Sequence, residues 1–394
     1  MIIDSDYKIF IEEDIIRNFN FTDYTKTYII THENLYSILN NEINNFAKAI
    51  NCNSIFTIPD GEQHKSLANV EKAINDILKK NLDRKSLIIN FGGGLISDFG
   101  GFVASVYMRG IDFINISTTL LSAIDASIGG KNAVNCNNIK NIIGTFTNPK
   151  AIFIHSKFFQ TLNKRQILNG LAEAAKHAII DDNEEYLTEI VNFVNDYLDA
   201  NPNLATIKDI VPESKQVEYN KRLLSIIQKS CIIKNEIVNN DFKESGVRKI
   251  LNFGHTVGHA IESYCIDKSI DLLHGEAIAL GMLIETIIAK NIILDSNLKF
   301  IEISSNNISK EKDYVFEYMD SLKEFVRKLA INKNIFQMLS NIDCNTLSEI
   351  LLLDKKNESK DITIAISLFK NKLHLLNVDS KTIHINLKQT IHSI

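Results

Sequence analysis

Up to about residue 155, short β-rich apolar runs alternate with helical patterns. Residues 27–31 and 54–58 read as strands, and 33–50 between them carries helical apolar spacing. A polar turn, Pro59-Asp60-Gly61-Glu62-Gln63-His64-Lys65, follows, and Ser66 is placed to cap a helix running to about Leu82. Residues 86–91 form a continuous apolar strand that stops abruptly at Gly92-Gly93-Gly94, and 112–117 and 151–154 are later strands. Alternation of this kind predicts a mostly parallel sheet covered on both faces. After about Ser156 the β-rich runs nearly vanish. Helical periodicity predicts helices over 166–180, 185–198, 220–239, 251–264, 274–289 and 313–331, with 373–376 and 382–385 as late strands. The pattern divides the chain into an α/β nucleotide domain (1–155) and a mainly α-helical domain (156–394), with the active site expected in the cleft between them.

Composition narrows the function classes. A chain of 394 residues is long for a single core, and 45% apolar with 23% charged residues is ordinary for a soluble globular protein. A net charge of −5 gives no reason to expect nucleic acid or an anionic membrane as partner. No apolar run reaches the length of a membrane span, and the acidic start does not read as a signal peptide. The five cysteines are scattered without a CxxC pair, which points to a reduced, cytoplasmic setting.

The candidate chemistry centres on Leu251-Asn252-Phe253-Gly254-His255-Thr256-Val257-Gly258-His259, followed by Leu273-His274-Gly275-Glu276. Four-residue spacing puts His255 and His259 on one helix face, a turn apart. Glycine costs a helix roughly 1 kcal/mol against alanine, so Gly254 and Gly258 imply close approach of something to this backbone. With Glu173 upstream, two or three histidines and one carboxylate suit a divalent metal of the zinc type. Spacing alone would make both members of the pair ligands. The strand–Gly92-Gly93-Gly94–helix join is a place for a dinucleotide pyrophosphate, although Ser97 stands where the usual GxGxxG fingerprint has glycine.

Assembled, these motifs resemble the 3-dehydroquinate synthase family. The resemblance runs from about Asp60 to Lys356 and adds Tyr107-Met108-Arg109-Gly110, Ser117-Thr118-Thr119-Leu120-Leu121, Asp125 to Lys131, Lys140-Asn141 and Gly170 to Lys176. It implies a Rossmann-like N-terminal domain with an α-helical metal-binding domain, usually homodimeric, using NAD+ and zinc or cobalt. The metal ligands implied are Glu173, His255 and His274, with His259 in proton transfer. NAD+ contacts would fall on Asp60, Gly61, Glu62, Gln63, His64 and Lys65; on Gly94, Leu95, Ile96, Ser97 and Asp98; on Thr118, Thr119, Lys131 and Lys140; and on Phe158, Phe159, Gln160 and Thr161. Substrate and catalytic roles would fall on Arg109, Asp125, Lys131, Asn141, Lys176, Lys234, Glu244, Arg248, Asn252, Lys355 and Lys356. Departures beside these positions (Ala126, Asn132, His177 and Asn137-Asn138-Ile139) leave the functional residues themselves in place.

The reaction implied is carbon–oxygen lysis of 3-deoxy-D-arabino-heptulosonate 7-phosphate to 3-dehydroquinate and phosphate. It proceeds by oxidation at C5, phosphate elimination, re-reduction and aldol closure, within the shikimate route to aromatic amino acids. The rival readings are another sugar phosphate cyclase, a metal-dependent polyol or glycerol phosphate dehydrogenase of the same superfamily, and a non-catalytic subunit. The dehydrogenases give no reason for Lys131, Lys234, Arg248 and Asn252 together.

Overall fold

The computed structural model describes residues 1–394 except 53, 138, 199–205, 295–318, 330–332, 353–361, 370–371 and 394. It divides into two compact units, Met1–Ile167 with Ala205–Lys243, and Leu168–Leu204 with Glu244–Ile394.

The first unit is built on a seven-stranded sheet. In chain order its strands are β1 (Ile2–Asp4), β2 (Lys8–Ile11), β3 (Thr27–His32), β4 (Ile55–Ile58), β5 (Leu87–Gly92), β6 (Asp112–Ser117) and, after the hairpin β7 (Lys131–Cys136) and β8 (Ile139–Phe146), β9 (Ala151–Ile154). Their order across the sheet is β1-β2-β9-β6-β5-β3-β4. Only β1 pairs antiparallel; the other neighbours are parallel. β5 lies inside the sheet between β6 and β3, and all six of its residues are buried, as a strand covered on both faces requires. Helix Leu67–Lys79 begins at Ser66, whose hydroxyl accepts the Asn69 N–H. That helix and Gly94–Val106 pack their apolar faces with Tyr28, Ile30, Ile88 and Phe113 into one core.

The expected 33–50 helix breaks at Leu39 into Glu33–Ile38 and Asn40–Ala49. The β7–β8 hairpin and β1–β2 went unread in the pattern. The long helix Gln216–Asn240 belongs to the first unit, although the sequence groups it with the later helices. Polar groups explain part of this: Cys231 Sγ donates to the Ala123 carbonyl at 3.4 Å, and Lys234 Nζ donates to both the Asp125 carbonyl and its carboxylate at 2.6 Å.

The second unit is mainly helical. Helix His255–Asp267 lies against His274–Leu294 so closely that a Cβ on Gly258 would stand 3.0 Å from the Ala277 carbonyl. What approaches the glycine is therefore the neighbouring helix backbone. β10 (Ile362–Phe369) and β11 (Lys372–Val378) form an antiparallel hairpin. Residues 382–385, read as a strand, lie instead in helix Ser380–Ser393. There Ile383, Leu387 and Ile391 are buried at four-residue spacing, so helical packing overrides the local alternation. Among the described residues no helix is long and apolar enough to cross a membrane.

Candidate metal centre and nucleotide loop

Glu173 lies within helix Lys164–Ile180 and is wholly buried. A buried carboxylate carries a heavy desolvation cost unless cations or donors surround it. Lys176, one turn on and equally buried, sets its ammonium against Glu173 Oε2. Against Oε1 stand His255 Nε2 at 3.6 Å and His274 Nε2 at 3.3 Å. One ligand atom from each of Glu173, His255 and His274 falls within 4.8 Å of the others.

The chain orients both imidazoles from behind. His255 Nδ1 lies 3.1 Å from the Phe253 carbonyl, so a proton donated there leaves the Nε2 lone pair facing Glu173. His274 Nδ1 lies 3.4 Å from Glu262 Oε2. Burial alone would lower the His274 pKa, but hydrogen bonds to Glu173 and Glu262 outweigh it and raise it to about 10. Without an ion, the pocket therefore favours a positive charge on its imidazole. The same donor set, two imidazoles and a carboxylate, fits a divalent cation of the zinc type.

The third histidine stays close. The His259 ring centroid lies 5.1 Å from that of His255 and 5.9 Å from that of His274. His259, Glu262 and His274 form a second set of donor atoms within 4.8 Å. Geometry alone thus leaves His259 open between ligand and proton carrier.

Backbone anchors hold the two helices that bear His255 and His274. Gly254 precedes His255 with φ of 77°, in the left-handed region, and a Cβ there would meet Met282 Cγ at 2.4 Å. Having no side chain to cap the helix, Gly254 leaves that role to Glu285 of the neighbouring helix. The Glu285 carboxylate accepts Gly254 N–H at 2.8 Å and Val257 N–H at 3.0 Å. Glu276 reaches back to accept the Leu273 N–H at 2.8 Å, half of a capping box at the start of the His274 helix. Asn169, on the Glu173 helix, accepts the Gly275 N–H at 2.6 Å. The sequence reading missed Glu262, Glu285 and Asn169. Only Glu262 left a sequence signal, since it lies two turns from His255 on the same helical face.

Ahead of these helices, the turn Val247–Asn252 is a 3-10 helix that buries Arg248, which is 1% exposed. Asn252 Nδ2 donates to Glu244 Oε1 at 3.0 Å. Arg248 and Asn252 lie in this turn, and Glu244 precedes it.

The nucleotide loop lies in the first unit. β5 runs into Gly93, the N-cap of helix Gly94–Val106, whose first turn holds no acidic residue and no side-chain cap. A Cβ on Gly93 would meet Thr119 Cγ2 at 2.8 Å. Thr118, the residue after β6, has a buried hydroxyl without a protein partner. A bare helix N-terminus beside an orphaned hydroxyl fits a phosphate-bearing cofactor. Lys65 is buried and sets its ammonium against Asp98 and, at 2.5 Å, against Asn141 Oδ1. Burial raises the Asp98 pKa, and Lys65 opposes that rise. Asn135 ties this cluster to Glu62, donating to its Oε1 at 2.9 Å and accepting the Asn141 N–H at 2.8 Å.

Two family descriptions match end to end: 3-dehydroquinate synthase N-terminal over residues 55–169 and 3-dehydroquinate synthase C-terminal over residues 170–307. The chain belongs to the 3-dehydroquinate synthase family. A 3-dehydroquinate synthase of Campylobacter jejuni subsp. jejuni is 34% identical over 363 residues, covering 92% of this chain and 90% of the relative. Among solved structures, 2-deoxy-scyllo-inosose synthase complexed with carbaglucose-6-phosphate, NAD+ and Co2+ aligns with a TM-score of 0.71 at 22% identity, covering 97% of this chain and 96% of that one. The 2-epi-5-epi-valiolone synthase of Streptomyces hygroscopicus subsp. jinggangensis, with NAD+ and Zn2+ bound, aligns with a TM-score of 0.72 at 19% identity, covering 99% and 98%. At these identities the likeness is one of fold.

Other positions singled out by the family pattern are placed as follows. Arg109 is exposed, with φ of 69°, in the turn after helix Gly94–Val106. Asp125 sits in the π-helical turn Ser122–Ala126, held by Lys234. Lys131 opens β7 and Lys140 lies in β8. Phe158 and Phe159 are buried in the 3-10 helix Ser156–Thr161, where Thr161 Oγ1 donates to the Phe158 carbonyl at 3.0 Å. Lys355 and Lys356 lie outside the described residues.

Proposed function

We infer that this chain carries out its family's reaction, converting 3-deoxy-D-arabino-heptulosonate 7-phosphate to 3-dehydroquinate and phosphate. What supports the reading most is the gathering of Glu173, His255 and His274, in a family member aligned to a curated relative over 92% of its length. Bound NAD+ supplies a hydride acceptor that can be regenerated in place, and bound Zn2+ or Co2+ supplies Lewis acidity toward hydroxyl and ketone oxygens.

Glu173, His255 and His274 would hold the metal. The Gly93–Gly94 helix start and Thr118, with Asp60–Lys65, Asp98, Thr119, Lys140 and residues 158–161, would hold NAD+. The substrate carries a carboxylate and a phosphate, so a protein of net charge −5 needs local cations to bind it. Arg109, Lys131, Lys176, Lys234 and Arg248 take that role, with Lys355 and Lys356 added by the family pattern and Asn141 and Asn252 as neutral donors. Asp125 holds the Lys234 ammonium in place through two hydrogen bonds of 2.6 Å. His259 and Glu244 move protons, a role worth about 10²–10⁴-fold in rate.

The five cysteines are free thiols, which suits the reduced cytoplasm, and the family pattern implies a homodimer. Steady-state release of inorganic phosphate from the heptulosonate phosphate, dependent on both NAD+ and a divalent metal, tests the assignment. Absence of release with both supplied would overturn it.

A further inference from the structure

One imidazole spans two carboxylates. His274 presents Nε2 to Glu173 Oε1 at 3.3 Å and Nδ1 to Glu262 Oε2 at 3.4 Å. Glu262 is 6% exposed on helix His255–Asp267, two turns beyond His255 and therefore on the same face. Glutamate is seldom buried this deeply unless it is paired. Its reach to His274, on the neighbouring helix, links the two histidine-bearing helices through a charged hydrogen bond.

We propose that Glu262 is a positioning residue for the metal centre, accepting the Nδ1 proton of His274 and so turning the Nε2 lone pair toward Glu173. The inference rests on the reading that Glu173, His255 and His274 hold the metal. Glu262 fixes one tautomer and, being anionic, makes the opposite nitrogen a stronger donor. The two ligand histidines are thereby treated unequally. His255 Nδ1 faces a neutral carbonyl, that of Phe253 at 3.1 Å, whereas His274 faces a charge. Loss of an outer-shell carboxylate of this kind typically weakens metal binding about 10–100-fold. Because His259, Glu262 and His274 also bring donor atoms within 4.8 Å, the test must separate Glu262 as orienting partner from Glu262 as ligand.

The experiment uses the full-length protein stripped of metal and titrated with Zn2+ in competition with a chromophoric chelator. Wild type is compared with Glu262→Gln, Glu262→Ala and His255→Ala, and visible spectra are recorded after Co2+ loading. Glu262→Ala should bind Zn2+ about 10–100-fold more weakly. Glu262→Gln keeps a neutral acceptor and should fall between Glu262→Ala and wild type, with a shifted Co2+ band. Being isosteric, it carries the test should Glu262→Ala fail to fold. Wild-type affinity in both variants would overturn the proposal. So would loss of metal from Glu262→Ala as complete as from His255→Ala, which would make Glu262 a ligand. Tight binding to His255→Ala, or none to wild type, would remove the ligand reading beneath it.

Discussion

Glu285 caps a helix that is not its own: its carboxylate accepts the Gly254 N–H at 2.8 Å, one residue before a candidate metal ligand. A second bond to Val257 N–H, at 3.0 Å, fixes the first turn of that helix, and Glu285 is wholly buried. Hydrogen bonds to a charged group contribute about 1.5–3 kcal/mol each. Glu285→Ala should therefore lower stability by at least about 1.5 kcal/mol and weaken Zn2+ binding through His255. Urea unfolding of the metal-free protein checks the first effect and chelator competition the second. An unchanged unfolding midpoint would show that the cap contributes nothing.

The role of His259 separates from that of His255 by metal content. His255→Ala should lose bound metal. His259→Ala should keep it while turnover falls by about 10²-fold or more, as expected for a lost proton carrier. Elemental analysis of dialysed proteins beside a phosphate-release assay reads both. Equal loss of metal in the two variants would make His259 a ligand.

Arg248 is a further discriminating position. The side chain is 1% exposed in the turn leading to the ligand helix. Lysine keeps its charge but loses the planar fork that binds a carboxylate or phosphate through two bonds. Arg248→Lys should lower kcat/KM at least about tenfold, equivalent to about 1.4 kcal/mol of transition-state stabilisation, with little change in Tm. A variant that loses stability and keeps activity would assign Arg248 to a structural ion pair.

The fold and the site were legible to different depths. β5 could be read because all six of its residues are buried, leaving an uninterrupted apolar run, and Ser66 announced its helix by capping it. β8 could not: none of its residues is buried, and the half-buried ones, Lys140, Ile143 and Thr145, make no apolar stripe. The strand reading of 382–385 failed because β-branched alternation is a local signal, while Ile383, Leu387 and Ile391 are buried along one helical face. At the site, spacing placed His255 and His259 together but could not say which was a ligand, and only the family pattern fixed the set as Glu173, His255 and His274. Glu285 gave no signal, because nothing in the chain ahead of Gly254 announces a cap supplied from the next helix.

A pH effect follows from the start of the second helix. His32 caps helix Glu33–Ile38, its Nδ1 accepting the Leu35 N–H at 3.2 Å, and the same nitrogen lies 2.5 Å from Asp60 Oδ1. Burial lowers its pKa below the ordinary 6.5, against the opposing pull of Asp60. The folded protein thus prefers neutral His32. The stability this contributes is present above pH 6.5 and is lost as pH falls through the lowered folded pKa. His32→Asn retains a capping side chain and should flatten that part of the pH profile. Urea midpoints of the two proteins, compared between neutral and mildly acidic pH, check it. Parallel profiles would contradict it.

NAD+ should be recycled within each turnover. The measurement is phosphate and 3-dehydroquinate formed from the heptulosonate phosphate with NAD+ well below the enzyme's substrate concentration, with absorbance at the NADH band followed in parallel. Many phosphates should be released per NAD+, with equal amounts of 3-dehydroquinate and no steady build-up of NADH. One NADH accumulating for each substrate consumed, without release of phosphate, would contradict it and make the chain a dehydrogenase.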